Sequence, residues 1–290
     1  MPAIAKQLRR GLKKITPGWV TVYVLMIALA LVTALPLIYM VVTAFKPIEE
    51  LLLFPPRFFV KRPVLTNFSD LFETLDSQTV PFTRYLFNSL FTTVVTVVLT
   101  LAVCLMGAYA IEKVRMRGSR LFGTMVVYAL MFSPPAAQIP IYMVVAKSGM
   151  LDTYWALIIP SLATPMYFFL LRQFISQIPE VLLESARLDG ASEYRILVSL
   201  IIPTVKPALA TVTVFAFIAN WNNSGGSAIY ITDQAMKTLP YALSTITTGG
   251  LARAGAAAAA SLLITLPTIL VYLLMQAQVM KTMVFAGIKG

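Results

Sequence analysis

An all-α fold that crosses a membrane several times is what this sequence predicts, and three observations predict it. Apolar residues make up 58% of the 290 positions and charged residues 12%, a higher apolar and lower charged share than soluble domains carry. The charges are also clustered, leaving six stretches with no Asp, Glu, Lys or Arg, at 15–45, 85–111, 121–146, 153–171, 207–232 and 254–280. A hydrocarbon core of about 30 Å takes roughly 20 helical residues, and all six stretches reach the tolerated length. Third, with the first 18 residues on the cytoplasmic side, fifteen of the 23 Lys and Arg fall inside and eight outside, as the positive-inside rule requires.

These observations give a basic cytoplasmic segment at 1–18, a six-span domain at 19–280 and a cytoplasmic tail at 281–290. The spans are expected at about 19–45, 86–111, 121–146, 153–172, 207–230 and 256–280, with both termini cytoplasmic. The first apolar run exceeds the roughly 7 to 15 residues of a signal-peptide core, so it reads as a retained span. Between the first two spans, residues 46–84 carry Pro47, Pro55, Pro56, Pro63 and Pro81 together with Phe54, Phe58, Phe59, Phe68 and Phe72. Proline suppresses long helices, and the aromatic rings can pack such a loop on a neighbour or on the membrane surface.

Pro134 and Pro135 sit in the middle of the third span, with Pro140 soon after, and should kink or interrupt it. Two readings fit: a break that faces other helices or a cavity, where freed backbone groups find partners, or a kink without further role. The last span opens on an alanine-rich run, Ala254 to Ala260 interrupted by Gly255. Such small residues let helices approach closely, within the subunit or between subunits.

Composition also excludes functions. The chain has no histidine and one cysteine, Cys104, so no Ser-His-Asp or Cys-His catalytic arrangement, internal disulfide or Cys-rich metal site can be assembled. Cys104 reads as a lipid-facing or packing residue, and no catalytic or metal residue is assigned. The formal charge of +11 is explained by topology and does not call for a nucleic-acid partner. Uncharged span interiors fit a neutral solute better than an ion relay.

The most informative stretch is ESARLDGASEYRILVSLIIPTVKP at 184–207, between the fourth and fifth spans. Pro179 can start a helix, Asp189 and Gly190 can end it, and Ala191 onward restarts it. Glu184 and Asp189 taken singly read as solvated charges near helix ends. A second cluster, Asn220, Trp221, Asn222, Asn223 and Tyr230, gathers amides and aromatic rings late in the fifth span. That suits a sugar path, and it also suits an interfacial aromatic belt with ordinary Asn hydrogen bonds.

At the first of these stretches the sequence resembles the inner-membrane permeases of ABC importers, whose loop reads Glu-Ala-Ala, three residues, Gly, nine residues and Ile-x-Leu-Pro. Glu184, Ala186, Gly190 and Pro203 match at that spacing, and Asp189 and Ala191 fit the family's frequent Asp-Gly-Ala. The resemblance extends over nearly the whole chain to the carbohydrate-uptake branch, and most to the shorter maltose-type permease subunit. It is carried by TNFSDLF, RYLFNSL, AYAIEKVRMRG, IPIYMVVAKSGMLDTYWALIIP, LPYAL and the terminal AGIKG. Departures fall at Asn223 to Gly226 and at Gln276, Ala277 and Gln278.

The resemblance implies a cytoplasmic coupling helix at 184–203 that docks on an ATPase subunit. It also implies a second permease subunit, two ATP-binding subunits that hold ATP and Mg, and an extracellular or periplasmic solute-binding protein, all at a bacterial cytoplasmic membrane. This chain would bind no cofactor, since it has no GxxxxGK[ST] phosphate loop. Import of sugars or oligosaccharides is the expected function. The alternatives are another small polar solute, a self-contained secondary transporter, and an intramembrane enzyme, the last lacking His and paired intramembrane carboxylates.

Overall fold

The computed structural model describes residues 17–76, 80–114, 116–162, 164–247 and 253–287. The all-α architecture is borne out, with no strand among the described residues. Three helices are long and apolar enough to cross a membrane unbroken: α1, Pro17–Ala44, α3, Phe82–Tyr109, and α13, Ala254–Gly287. Between α1 and α3 lies α2, Thr66–Asp76. Counting each of three bent helix pairs as one span gives six.

The first bent pair is α4, Ser119–Met131, and α5, Pro134–Lys147, which meet at 115°. The interruption expected in the third span is therefore a sharp turn. Phe132 and Ser133 are extended, with ψ of 132° and 128°; Ser133 immediately precedes proline, which pushes it out of helical space, and the prolines then begin α5. Pro140 lies inside α5 without ending it. Within this chain the break faces outward: Met131, Phe132 and Ile139 are each more than 70% exposed.

Helices α6, Tyr154–Leu162, and α7, Pro165–Ser176, form the second pair. After α7 come α8, Glu180–Leu188, and α9, Glu193–Ile196, then a π-helical turn at Leu197–Ile201 and a short turn at Ile202–Thr204. An 80° bend leads into α10, Lys206–Trp221. We call α8, α9 and the turns after them the elbow. The fifth span expected at 207–230 is not one helix: α10 stops at Trp221, and α11, Ser224–Tyr230, follows. The side chain of Asn223 caps α11 by accepting from the Gly226 N–H at 2.8 Å. Helix α12, Leu239–Thr247, precedes α13.

Helix α3 is central, packing on α6, α7 and α10, while α10 also packs on α13. Helix α1 leans on α13 and is otherwise exposed. The alanine run resolves as an intrasubunit face: Ala259 and Ala260 are fully buried, beside the α12 residues Leu243 and Ile246.

Two apolar cores follow. One joins Tyr109, Leu171, Ile175, Leu183, Ile196 and Ile201 at the elbow end, and Cys104 belongs to it, buried at 1% exposure. The other joins Leu71, Leu75, Tyr85, Trp221 and the start of α13 at the opposite end, here called the cap. At the cap, Asn67 donates from Nδ2 to the Ala44 and Lys46 carbonyls at 2.9 and 2.7 Å. Glu50 accepts from the backbone N–H groups of Lys61 and Arg62, so the proline-rich loop is ordered by its own side chains.

Candidate functional site

The elbow is built by a helix exit and a helix entry five residues apart. Gly190 has φ +78°, a conformation that costs a residue with a Cβ roughly 1–2 kcal/mol. It closes α8: the Ala191 N–H donates to Ala186 O and the Gly190 N–H to Arg187 O, both at 3.0 Å. That pair of reversed bonds satisfies carbonyls the helix end would leave bare. Ser192 then caps α9 by accepting from the Arg195 N–H.

Of the residues singled out from sequence, Glu184, Asp189 and Pro203 are exposed, Ala186 and Ala191 are half-buried, and Gly190 forms the exposed corner. Leu183, Ile196 and Ile201 anchor the elbow in the core below. The outward face keeps Leu188 at 89% exposure and Tyr194 at 76%, an apolar surface that none of the described residues covers.

Polar ties that sequence reasoning missed hold the corner. Glu193, the first residue of α9, accepts from Arg187 Nε at 2.8 Å and from the Tyr109 hydroxyl at the end of α3. The Arg187 guanidinium is the first cause holding the Glu193 carboxyl below its usual range, with the Tyr109 bond second; the carboxylate in turn raises Arg187. One residue-turn further, Lys113 is 6% exposed, donates from Nζ to the Ile178 carbonyl at 2.6 Å and lies 3.6 Å from Glu180. Arg172 of α7 pairs with Glu112 at 2.8 Å. An acid at N1 behind a serine cap was the one local signal for Glu193; its partners lie far away in sequence.

The second cluster is divided by the fold. Trp221 is 1% exposed, stacks on Phe217 at 5.8 Å and donates to the Ile264 carbonyl of α13 at 2.9 Å. This places it in the core as a strut between α10 and α13. Asn220 and Asn222 donate back to the Ala216 and Ile218 carbonyls of their own helix. Tyr230 stacks against Tyr142 of α5 with ring centroids 6.3 Å apart. Only Asn220 and Asn223 meet, lining with Thr92, Thr96, Leu157 and Thr238 a cavity of about 20 Å³. That volume suits a single water, far short of a sugar ring.

The sequence from 105 to 283 matches the family model described as the binding-protein-dependent transport system inner membrane component. A protein of Sinorhizobium fredii, named probable ABC transporter permease protein y4oR, is 32% identical over 263 residues, covering 90% of this chain and 92% of that one. The arabinooligosaccharides transport system permease protein AraQ of Halalkalibacterium halodurans is 26% identical over 268 residues, covering 90% and 93%. Among solved structures, a chain of a bacterial ABC transporter involved in the import of the acidic polysaccharide alginate superposes with a TM-score of 0.75 at 25% identity, covering 91% of this chain and 97% of that one. With its bundle of apolar helices and its exposed elbow, the chain belongs to the binding-protein-dependent transport system inner membrane components, as a multi-pass transport subunit rather than an enzyme.

Proposed function

We propose that this chain is one of two permease subunits of an ATP-driven importer of sugars or oligosaccharides. The observation that carries the reading is the elbow: an uncovered apolar face around Leu188 and Tyr194, on a corner fixed by Gly190 and anchored by Leu183 and Ile196. A rigid, exposed, apolar projection fits the groove of a soluble partner, and Glu184, Ala186, Asp189, Gly190, Ala191 and Pro203 are assigned to ATPase docking. The nucleotide and its Mg²⁺ then belong to that partner, since this sequence has no phosphate loop.

In this reading two ATPase subunits close on ATP and displace the elbow. Its movement shifts the spans between inward and outward openings, because docking contacts differ in free energy between the two states. The elbow and both termini face the cytoplasm, which the inside-weighted Lys and Arg support. A solute-binding protein delivers the cargo at the cap. The outward α4–α5 break and its uncovered apolar side chains are assigned to contact with the second permease.

The oligosaccharide assignment draws on the named cargo of AraQ and of the alginate transporter. On this subunit Asn220, Asn222, Asn223 and Tyr230 remain the path residues, while Trp221 supports them from the core. Reconstitution with the partner permease and ATPases into proteoliposomes, followed by ATP-dependent uptake of labelled neutral and acidic oligosaccharides, tests the assignment. Uptake that persists without ATP returns the chain to the secondary-transporter reading, and uptake of a non-sugar solute alone returns it to another polar cargo.

A further inference from the structure

Helix α3 touches the elbow at one end and the cap at the other, and side chains bind it firmly at both. At the elbow, the Tyr109 hydroxyl donates to Glu193, and Lys113, just beyond the helix, donates to the Ile178 carbonyl at 2.6 Å. One tie holds the start of α9 and the other the entry to α8. At the cap, Asn88 is fully buried; its Nδ2 donates to the carbonyls of Ala235 at 2.9 Å and Lys237 at 2.8 Å, and its Oδ1 accepts from the Tyr154 hydroxyl at 2.7 Å. Next to it, Ser89 Oγ accepts from the Leu239 N–H at 2.7 Å. The segment 231–238 is thus hung from α3.

Between Asn88 and Tyr109 the helix runs for about 32 Å, with no proline and no break. The other routes from the elbow are bent. Helix α10 leaves it through an 80° turn, and the α6–α7 pair bends by 43°. A bend absorbs displacement, whereas an unbroken helix held by buried, directional hydrogen bonds moves as one body.

We propose that α3 is the strut that carries elbow movement to the 231–238 segment, with Tyr109 and Asn88 as positioning residues at its two ends. This rests on the reading of 184–203 as the ATPase-docking segment. Tyr109 sets the elbow's place on the strut through Glu193, and Asn88 sets the place of the cap segment. Neither residue touches nucleotide or cargo.

The test uses the complete transporter in proteoliposomes, with a spin label on Thr232→Cys; Thr232 is exposed while Cys104 is buried. Tyr109→Phe removes a single oxygen and keeps the ring, and Asn88→Asp keeps shape while removing the amide donors. Both are expected to assemble with the ATPases and to keep basal ATP hydrolysis. Uptake per ATP should fall roughly tenfold, and the ATP-driven change in label mobility should vanish. Should Asn88→Asp not assemble, Ser89→Ala takes its place at the same end.

A Tyr109→Phe transporter with wild-type uptake per ATP and a wild-type label response overturns the strut. So does a uniform fall in yield, hydrolysis and uptake with their ratio unchanged, since that is a purely structural effect. If the unmodified chain fails to bind the ATPases, the docking reading itself falls; a strut failure leaves that binding intact.

Discussion

The Trp221 indole and the Ile264 carbonyl, 2.9 Å apart, join the end of α10 to α13 three residues before Pro267. This bond sits where α10 ends, so it fixes the end of that helix against the longest helix of the bundle. Trp221→Phe keeps much of the ring packing and loses the donor, at a cost of about 1 kcal/mol. Trp221→Ala also opens a cavity and should cost about 3–5 kcal/mol. Thermal unfolding of the detergent-purified protein distinguishes these steps; a Phe variant as weakened as the Ala variant would show that the hydrogen bond, not the packing, dominates.

At Gly190 the cost of substitution is conformational, because an added Cβ meets nothing within 4 Å. Gly190→Ala should therefore destabilise by only about 1–2 kcal/mol and retain uptake. Gly190→Pro is different: it forces a negative φ and deletes the N–H that bonds Arg187 O. Membrane insertion should persist while ATP hydrolysis no longer drives uptake. Normal uptake in the proline variant would remove the elbow from the coupling path.

What the sequence made legible has a common physical origin. Missing charge marks membrane depth, a proline pair marks an extended break, and Asp-Gly marks a left-handed helix exit; each is a local constraint on one segment. The end of α10 at Trp221 was less visible, because the uncharged run continues to Thr232 and composition offers no boundary. The local cue was Asn222–Asn223–Ser224, residues that favour caps over helix interiors.

Which face turns inward was not legible for most of the helices, since lipid and core are both apolar; α3 is the exception, where Asn88, Ser89, Thr92, Thr93, Thr96 and Thr100 form a polar stripe and all are buried. Trp221 was thus read as a path residue, although it lies in the core. The Tyr109–Glu193 contact spans 84 positions and depends on how α3 meets the elbow. No spacing rule within either segment encodes that.

Gly255 is required by close approach. A Cβ there would stand 2.1 Å from Asn67 Oδ1 and 2.7 Å from its Cγ, and Asn67 is buried while holding two carbonyls of the chain leaving α1. Gly255→Ala must expel that amide, leaving buried acceptors without their donor, for a loss of about 2 kcal/mol. Gly225→Ala is the control, because its nearest neighbour is 3.8 Å away and alanine favours a helix by up to about 1 kcal/mol. Equal melting temperatures for the two variants would refute the close-approach account.

Acid should loosen the elbow through Glu193. Its carboxyl titrates below the ordinary value of 4.5 because Arg187 and Tyr109 stabilise the charged form. The folded state therefore binds this proton less readily than the unfolded chain does. The stability that Glu193 contributes is complete above its ordinary value and is lost as pH falls through the lower folded value. Glu193→Gln lacks the charge at every pH, so the gap in melting temperature between the two proteins should be constant near neutrality and shrink below about pH 4.5. High salt should narrow the gap at neutral pH as well, since both side chains are partly exposed. A gap that persists undiminished to pH 3 would mean that the glutamine fails through shape or hydrogen bonding, and that the charge of Glu193 does not hold the corner.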